Sequence, residues 1–283
     1  MATVITTTFE LVGADGGPLR GDVRTAGAAE GRPAVVICHG FKGFKDWGFF
    51  PKLADRLAHA GLTAVSFNFS GSGVGPDGES FSEPERFGRA TFSKDLEDID
   101  IVCRELLAGT FVDGAASPTK LGLFGHSRGA GMAIAYTAGN HDVAVLATWA
   151  GIGKVHRWPQ DVLTQWRRDG KIDVPNARTG DILPLYTDVL DDIEEHQDHK
   201  LHLLEAAAAV EIPWLIMHGD ADETVPVSEA RSLHNAAAGD HVKLHIVSGG
   251  SHTMGSRHPW AGSTPELESA MGETVWWFTK YLF

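Results

Sequence analysis

Cysteine is scarce in this sequence, with two among 283 residues. Cys38 ends a short apolar run and Cys103 falls inside a predicted helix, and at such positions a thiol acts as a small buried hydrophobic group. Disulfide-stapled secreted domains are far richer in cysteine. We therefore expect both thiols to be buried and no disulfide to form.

The sequence also lacks the features of a targeting or membrane segment. Residues 1–8 carry neither the basic head nor the long apolar core of a secretory signal. No apolar run approaches the roughly 20 residues that a membrane-spanning helix needs. These absences predict a cytoplasmic protein for which a membrane is not a partner.

Basic residues are too few to balance the acidic ones, 24 against 37, and the formal net charge is −13. Nucleic acids and anionic membranes would be repelled by such a chain, so neither is expected as a partner. The apolar fraction of 43% is that of an ordinary globular protein. A small neutral or cationic substrate is the easier partner to accommodate.

Most of the chain alternates between strand-like and helix-like patterns. Residues 4–11 and 19–25 predict a hairpin, because turn residues separate two alternating runs. Further strands are predicted over 34–38, 62–69, 119–124, 143–149, 214–217 and 242–247, and helices over 49–60, 92–107, 130–136, 228–238 and 266–282. Strands that alternate with helices in this way form right-handed crossovers, and they predict an α/β fold with a mostly parallel sheet.

The alternation stops over residues 151–210, a stretch too long for a simple connection. We interpret residues 1–150 and 211–283 as the core and residues 151–210 as an inserted cap, whose acidic residues from Asp188 onwards predict a solvated helix. Trp158 and Trp166 in this cap are candidate substrate-binding residues that stack a planar group. Packing within the cap is the alternative role for both.

Two further patterns resemble ligand sites without completing one. His196, His199 and His202 recur every three residues, but this spacing drifts around a helix and no other metal ligands accompany them. The glycine-rich loop at residues 70–75 lacks the following helix and the lysine of a phosphate-binding loop. We expect no metal and no cofactor.

Gly125-His126-Ser127-Arg128-Gly129 joins a predicted buried strand to a predicted helix. A serine between two glycines at such a junction is typical of a nucleophile elbow, a strained turn that exposes the hydroxyl above the sheet. A serine hydroxyl reacts at neutral pH only with a base and an orienting acid beside it. Both are therefore sought at the other strand ends.

Acid and base candidates follow the last two predicted strands. Asp222 comes after the strand at 214–217, with Asp220 and Glu223 as competing acids, and His252 follows the strand at 242–247. The order serine, aspartate, histidine is that of α/β-hydrolases. Ser127, Asp222 and His252 are thus the predicted catalytic residues.

Acyl chemistry also needs two donors for the oxyanion. The backbone N–H of Arg128, next to the nucleophile, is one candidate. The other is the backbone N–H of Phe41, in the His39-Gly40-Phe41 loop after the first central strand. Here Gly40 would keep that loop close to the nucleophile. His39, His126 and His218 adjoin these motifs and are expected to support them.

These motifs together resemble the α/β-hydrolase fold serine hydrolases, from His39-Gly40 to His252. With a cap of this size they are similar to bacterial carboxylesterases of the cinnamoyl and feruloyl esterase type, although Arg128 stands where many of those carry glutamine. The resemblance implies a twisted, mostly parallel sheet flanked by helices, and hydrolysis of small esters through an acyl-enzyme.

Two other functions compete with an esterase. One is hydrolysis of amides or small peptides by the same triad, and the other is a non-catalytic binding protein on a hydrolase scaffold. The presence of every triad member argues against the binding protein. The oligomeric state stays open, a homodimer included.

Overall fold

A computed structural model of the chain describes residues 2–27, 31–110, 117–176 and 180–283. Its main sheet has eight strands in the order β1-β2-β4-β3-β5-β6-β9-β10. These strands are β1 Val4–Val12, β2 Pro18–Ala26, β3 Ala34–Cys38, β4 Thr63–Phe67, β5 Leu121–His126, β6 Val143–Trp149, β9 Trp214–Gly219 and β10 Val242–Val247. The predicted hairpin forms the antiparallel edge, and every pairing from β4 to β10 is parallel.

The helices surround this sheet. They are α1 Phe50–His59, α2 Pro84–Gly88, α3 Phe92–Ala108, α4 Arg128–Gly139, α5 Gln160–Asp169, α6 Asp188–His196, α7 Leu203–Ala208, α8 Val227–Ala237 and α9 Pro265–Leu282. α1 and α9 pack together on one face, while α3, α4 and α8 cover the other. The predicted α/β-hydrolase fold is confirmed, and helix α2 is an element that the sequence patterns did not predict.

Successive residues of the central strands feed two separate hydrophobic cores. Along β3, Val35 and Ile37 belong to the core under α1 and α9, whereas Val36 and Cys38 belong to the core under α3 and α4. Side chains of a strand alternate between faces, so a strand covered on both sides is apolar throughout. Both cysteines are buried and free.

Residues 151–210 hold α5, α6, α7 and a second sheet of two antiparallel strands, β7 Lys171–Pro175 and β8 Ile182–Tyr186. α2 and α3 of the core contact this segment through β8 and α6, and its last helix, α7, packs against α4 and α8. The glycine-rich loop contains a short 3-10 turn, Ser70–Ser72, whose first N–H donates to the carboxylate of Asp98.

The described residues were compared with two features that the sequence did not lead us to expect, a membrane-spanning helix and a metal site. None of their helices is long and apolar enough to cross a membrane. No group of three or more histidine, cysteine, aspartate or glutamate side chains among them is arranged to hold a metal ion. Of the three spaced histidines, His202 caps α7, where its Nδ1 accepts the N–H of Glu205.

Candidate active site

Ser127 occupies the turn between β5 and α4. Its backbone has φ 57° and ψ −118°, a conformation that non-glycine residues rarely adopt. The turn is held from both sides, because the Ser127 N–H donates to the Trp149 carbonyl oxygen at 2.9 Å and the Ser127 carbonyl accepts from Ala130 and Gly131. Strain that the surroundings impose in this way is typical of a nucleophile elbow.

Glycine is required around this turn because backbones approach one another closely. A Cβ atom on Gly129 would lie 2.3 Å from the His39 carbonyl oxygen, and one on Gly125 would lie 2.5 Å from the Cα of Ala130. A Cβ atom on Gly40 would lie 2.9 Å from that of Ser127. The predicted closeness of the Gly40 loop to the serine is therefore present.

His252 and Asp222 meet at the carboxyl ends of β9 and β10. The Nδ1 atom of His252 lies 2.8 Å from Oδ2 of Asp222. The Oδ1 atom of Asp222 accepts the backbone N–H groups of Thr224 and Val225 at 2.8 and 2.9 Å. A carboxylate fixed at both oxygens holds the imidazole in one orientation, with Nε2 left for a reacting group.

The environment keeps Asp222 ionised. Burial of its fully buried side chain would raise its pKa, but hydrogen bonds from His218 and His252 hold the pKa well below the usual range. The competing acids lie elsewhere. Asp220 is exposed and accepts the N–H of Gly249, and Glu223 is exposed as well. Among the three candidates, Asp222 is the one in contact with His252.

His126 supports the loop that carries His252. Its Nε2–H donates to the backbone carbonyl of His252 at 2.9 Å, and the two rings lie 4.8 Å apart between centroids. Burial lowers the pKa of His126 to about 3, so the ring stays neutral and keeps this donor. The sequence placed His126 beside the motif, but the partner lies 126 residues away and had no local signal.

His39 and His218 brace the neighbouring strand ends. His39 accepts the N–H of Phe69 at Nε2 and donates from Nδ1 to the Gly40 carbonyl, which fixes the start of the loop before Phe41. Burial lowers the pKa of His39 to about 4. His218 donates from Nε2 to the Val225 carbonyl at 2.8 Å and lies 3.2 Å from Asp222.

Ser127 lies at the junction of two cavities. The first, here called the His252 cavity, has a volume of about 260 Å³; it is lined by Ser127, His252, Thr253 and Asn176, by the aromatic rings of Trp47 and Phe50, and by residues of the Gly40 loop. The second, here called the Trp158 cavity, has a volume of about 220 Å³. Its walls are Phe41, Phe92, Ser127, Arg128, Ile152, Arg157, Trp158, Leu185, Thr224 and Val225. Phe41 borders both cavities beside the serine.

The two tryptophans of the segment at residues 151–210 differ in position. Trp158 lines the Trp158 cavity, whereas Trp166 is fully buried and meets Trp158 edge to face, with ring centroids 5.1 Å apart. The prediction that Trp166 binds substrate is therefore not matched by its position: Trp166 packs against Trp158 and does not line the cavity. Its place is behind the wall that Trp158 forms.

Comparison with known proteins identifies the family of the chain and solved structures with a similar fold. The model of the alpha/beta hydrolase family matches residues 35–262. No curated protein matches the chain. Among solved structures, the chain is similar to an esterase domain from Rhodothermus marinus, with a TM-score of 0.65, 17% identity and coverage of 99% and 100% of the two chains.

Two other solved structures have comparable similarity. Est1E from Butyrivibrio proteoclasticus with bound ferulic acid has a TM-score of 0.69 and 18% identity, with 95% of this chain and 98% of that chain covered. A dienelactone hydrolase from Anabaena variabilis has a TM-score of 0.64 and 16% identity, with 98% and 99% covered. At these identities the likeness establishes the fold.

Proposed function

Because the chain belongs to the alpha/beta hydrolase family, we propose that it cleaves carboxylic esters through an acyl-enzyme formed on Ser127. The observation that carries this proposal is the shared position of Ser127 and His252 on one cavity, with Nδ1 of His252 on the buried Asp222 carboxylate. A nucleophile, a base and an orienting acid are the groups that acyl transfer requires.

In the proposed cycle, His252 accepts and returns every proton that is transferred. His252 Nε2 takes the proton of the Ser127 hydroxyl as Oγ attacks the ester carbonyl carbon. The tetrahedral intermediate then expels the alcohol, which receives that proton from Nε2. A water molecule then attacks the acyl carbon while His252 Nε2 takes one of its protons, and that proton passes to Ser127 Oγ as the carboxylic acid leaves. Asp222 stays ionised throughout and stabilises the transient imidazolium.

Backbone donors from two elements serve the oxyanion. The N–H of Arg128 opens α4, where the helix dipole also favours negative charge. The N–H of Phe41 lies in the loop that Gly40 brings against Ser127. Such donors, placed before the reaction starts, each contribute about 10²–10³-fold in rate.

The two cavities receive different halves of the ester. The leaving alcohol must lie next to the histidine that protonates it, and His252 lines the His252 cavity. The acyl group then occupies the Trp158 cavity, beside the proposed oxyanion donors Phe41 and Arg128. A cavity of about 150 Å³ takes up benzene, so about 220 Å³ accommodates a planar aromatic acyl group against Trp158.

Hydrolysis of p-nitrophenyl esters, from acetate through longer chains to benzoate, tests the proposal. We expect turnover by the wild-type protein and a loss of at least about 10³-fold in Ser127→Ala, which removes the nucleophile. The same loss is expected in His252→Ala, with the unfolding transition preserved in both variants.

Two outcomes would contradict the proposal. Unchanged turnover in Ser127→Ala would exclude the acyl-enzyme on this serine. Cleavage of matched anilides by the wild type, with no cleavage of esters, would favour an amide hydrolase instead.

A further inference from the structure

The side chain of Arg128 has no part in the proposed chemistry, yet it is buried beside the nucleophile. It is 9% exposed, and its guanidinium lies over the Phe92 ring with 4.1 Å between the guanidinium carbon and the ring centroid. Nε donates to Oδ2 of Asp95 at 2.6 Å. Nη2 is buried and has no hydrogen-bond partner in the described part of the chain.

A buried donor without a partner is costly, by roughly 1–3 kcal/mol. Arg128 also lines the Trp158 cavity, so an acceptor on a ligand bound there can approach the guanidinium. Arginine carries donors and no acceptor, so its partner must be an oxygen or nitrogen with a free lone pair. The remaining walls of the cavity are mostly apolar.

We propose that Arg128 selects acyl groups that combine an apolar, planar body with a neutral hydrogen-bond acceptor, such as an ether or ketone oxygen. This inference rests on the proposed esterase function and on the acyl group occupying the Trp158 cavity. Arg128 acts here as a specificity-determining residue, through its side chain rather than its backbone N–H.

Charge favours a neutral acceptor over a carboxylate. Asp95 already neutralises Arg128, and Glu229 accepts two hydrogen bonds from Nη1 of Arg157, the other arginine of the cavity. A second carboxylate would enter a protein of net charge −13 without a free counter-charge. Burying an unpaired carboxylate in the cavity costs much free energy of desolvation, whereas a neutral oxygen accepts from the guanidinium without this cost.

One competing partner lies nearby. A cavity of about 30 Å³ behind the Gly40 loop is bordered by His39, Ser72, Asp95 and Arg128. It holds about one water molecule, which is able to accept from the guanidinium. If water satisfies Arg128 there, the side chain gains nothing from the acyl group, and the selectivity proposed here is absent.

Paired substrates separate these possibilities. The p-nitrophenyl esters of 4-methoxybenzoate and 4-ethylbenzoate share shape and leaving group and differ in one acceptor oxygen, and 4-acetylbenzoate pairs with 4-isopropylbenzoate in the same way. We expect kcat/KM of the wild type to favour the acceptor in each pair by about tenfold. The ester of 4-carboxybenzoate is expected to be slower than either methoxy or acetyl ester.

Variants must not leave the buried Asp95 carboxylate without its counter-charge. The double variant Asp95→Asn with Arg128→Gln removes both charges together, and Arg128→Lys keeps the charge but loses the planar fork. In both we expect the preference to fall to about twofold or less, whatever happens to the absolute rates. Arg168→Gln, at an exposed arginine that pairs with Asp169 and does not line the cavity, is the control expected to keep the preference.

The outcomes are distinct. Turnover of all esters by the wild type with ratios near one would overturn this inference alone and leave the esterase in place. A preference retained in both Arg128 variants, or faster cleavage of the 4-carboxybenzoate ester, would overturn it too. No turnover of any ester would overturn the esterase function and this inference with it.

Discussion

The strand ends around Ser127 and the segment at residues 151–210 are built differently. β5 is buried along its whole length and ends in a turn where Gly125 and Gly129 leave no room for a Cβ atom. In contrast, β7 alternates between exposed and half-buried residues. The segment packs against the rest of the chain through α6, α7 and β8, and side-chain links such as Arg157 with Glu229 and Lys42 with the Pro175 carbonyl add to this packing. Close backbone packing thus positions the proposed catalytic serine, whereas side chains of residues 151–210 form part of the cavity walls.

The strongest test of this contrast is at the acid. Asp222→Asn should lower kcat by about 10²–10⁴-fold, because an amide in place of the carboxylate no longer fixes the His252 tautomer. Asp220→Asn is the matched control, since that carboxylate contacts Gly249 rather than His252. Steady-state kinetics on one ester compares them. An equal loss in Asp220→Asn would move the acid to that residue.

Two glycines of α4 test the packing at the elbow. Gly129→Ala places a Cβ atom 2.3 Å from the His39 carbonyl and should destabilise the fold by about 3 kcal/mol or more. Gly139→Ala, at the other end of the helix, meets nothing within 4 Å and should be neutral or stabilising by up to about 1 kcal/mol. Urea unfolding measures both. A stable Gly129→Ala would refute the packing argument.

Substitutions in the segment at residues 151–210 should change substrate binding rather than the catalytic step. Arg157→Gln removes both contacts to Glu229, which also accepts the N–H of Gly153. We expect KM for a benzoate ester to rise about three- to tenfold while kcat for acetate changes little. Arg168→Gln, an exposed pair with Asp169, is the control. An equal fall in kcat for both esters would tie this segment to the catalytic step.

The smallest expected effect concerns a buried carboxylate of the core. Asp98 accepts the N–H groups of Ala14 and Ser70, and burial raises its pKa to about 7. The unfolded chain loses this proton near pH 4, so the contribution of Asp98 to stability is complete below pH 4 and is lost as pH rises towards 7. The slope is at most about 1.4 kcal/mol per pH unit.

Comparison with Asp98→Asn isolates that slope. The free energy of unfolding of the wild type, measured relative to the variant by urea titration, should fall between pH 5 and 7 and level off above. A difference that stays constant over this range would show that Asp98 is already ionised in the folded protein.

The fold, and the gathering of Ser127, Asp222 and His252 at one edge of the sheet, could be predicted because both depend on local sequence patterns. Apolar runs mark strands that are covered on both faces, and the residues just beyond them collect at one edge of a parallel sheet. The choice among Asp220, Asp222 and Glu223 was not settled by pattern. It depends on the turn in which the Thr224 and Val225 N–H groups hold Asp222.

The contacts of His126 and the position of Trp166 could not be predicted from the sequence, for a different reason. The hydrogen bond from His126 to the His252 carbonyl joins two strand ends that β6 and β9 separate in the sheet. Trp166 is an aromatic residue of the kind that lines cavities, but the path of the segment places Trp158 on the cavity wall and Trp166 behind Trp158. Neither arrangement leaves a periodic signal in the sequence.

The aromatic lining of the His252 cavity bears on what the acyl-enzyme reacts with. On the proposed mechanism, Trp47 and Phe50 surround the space that the first alcohol vacates and that water must then enter. An organic alcohol has more affinity for such rings than water has, so under the proposed mechanism we expect acyl transfer to a second alcohol to compete with hydrolysis. The ratio of new ester to free acid formed with added benzyl alcohol measures this competition.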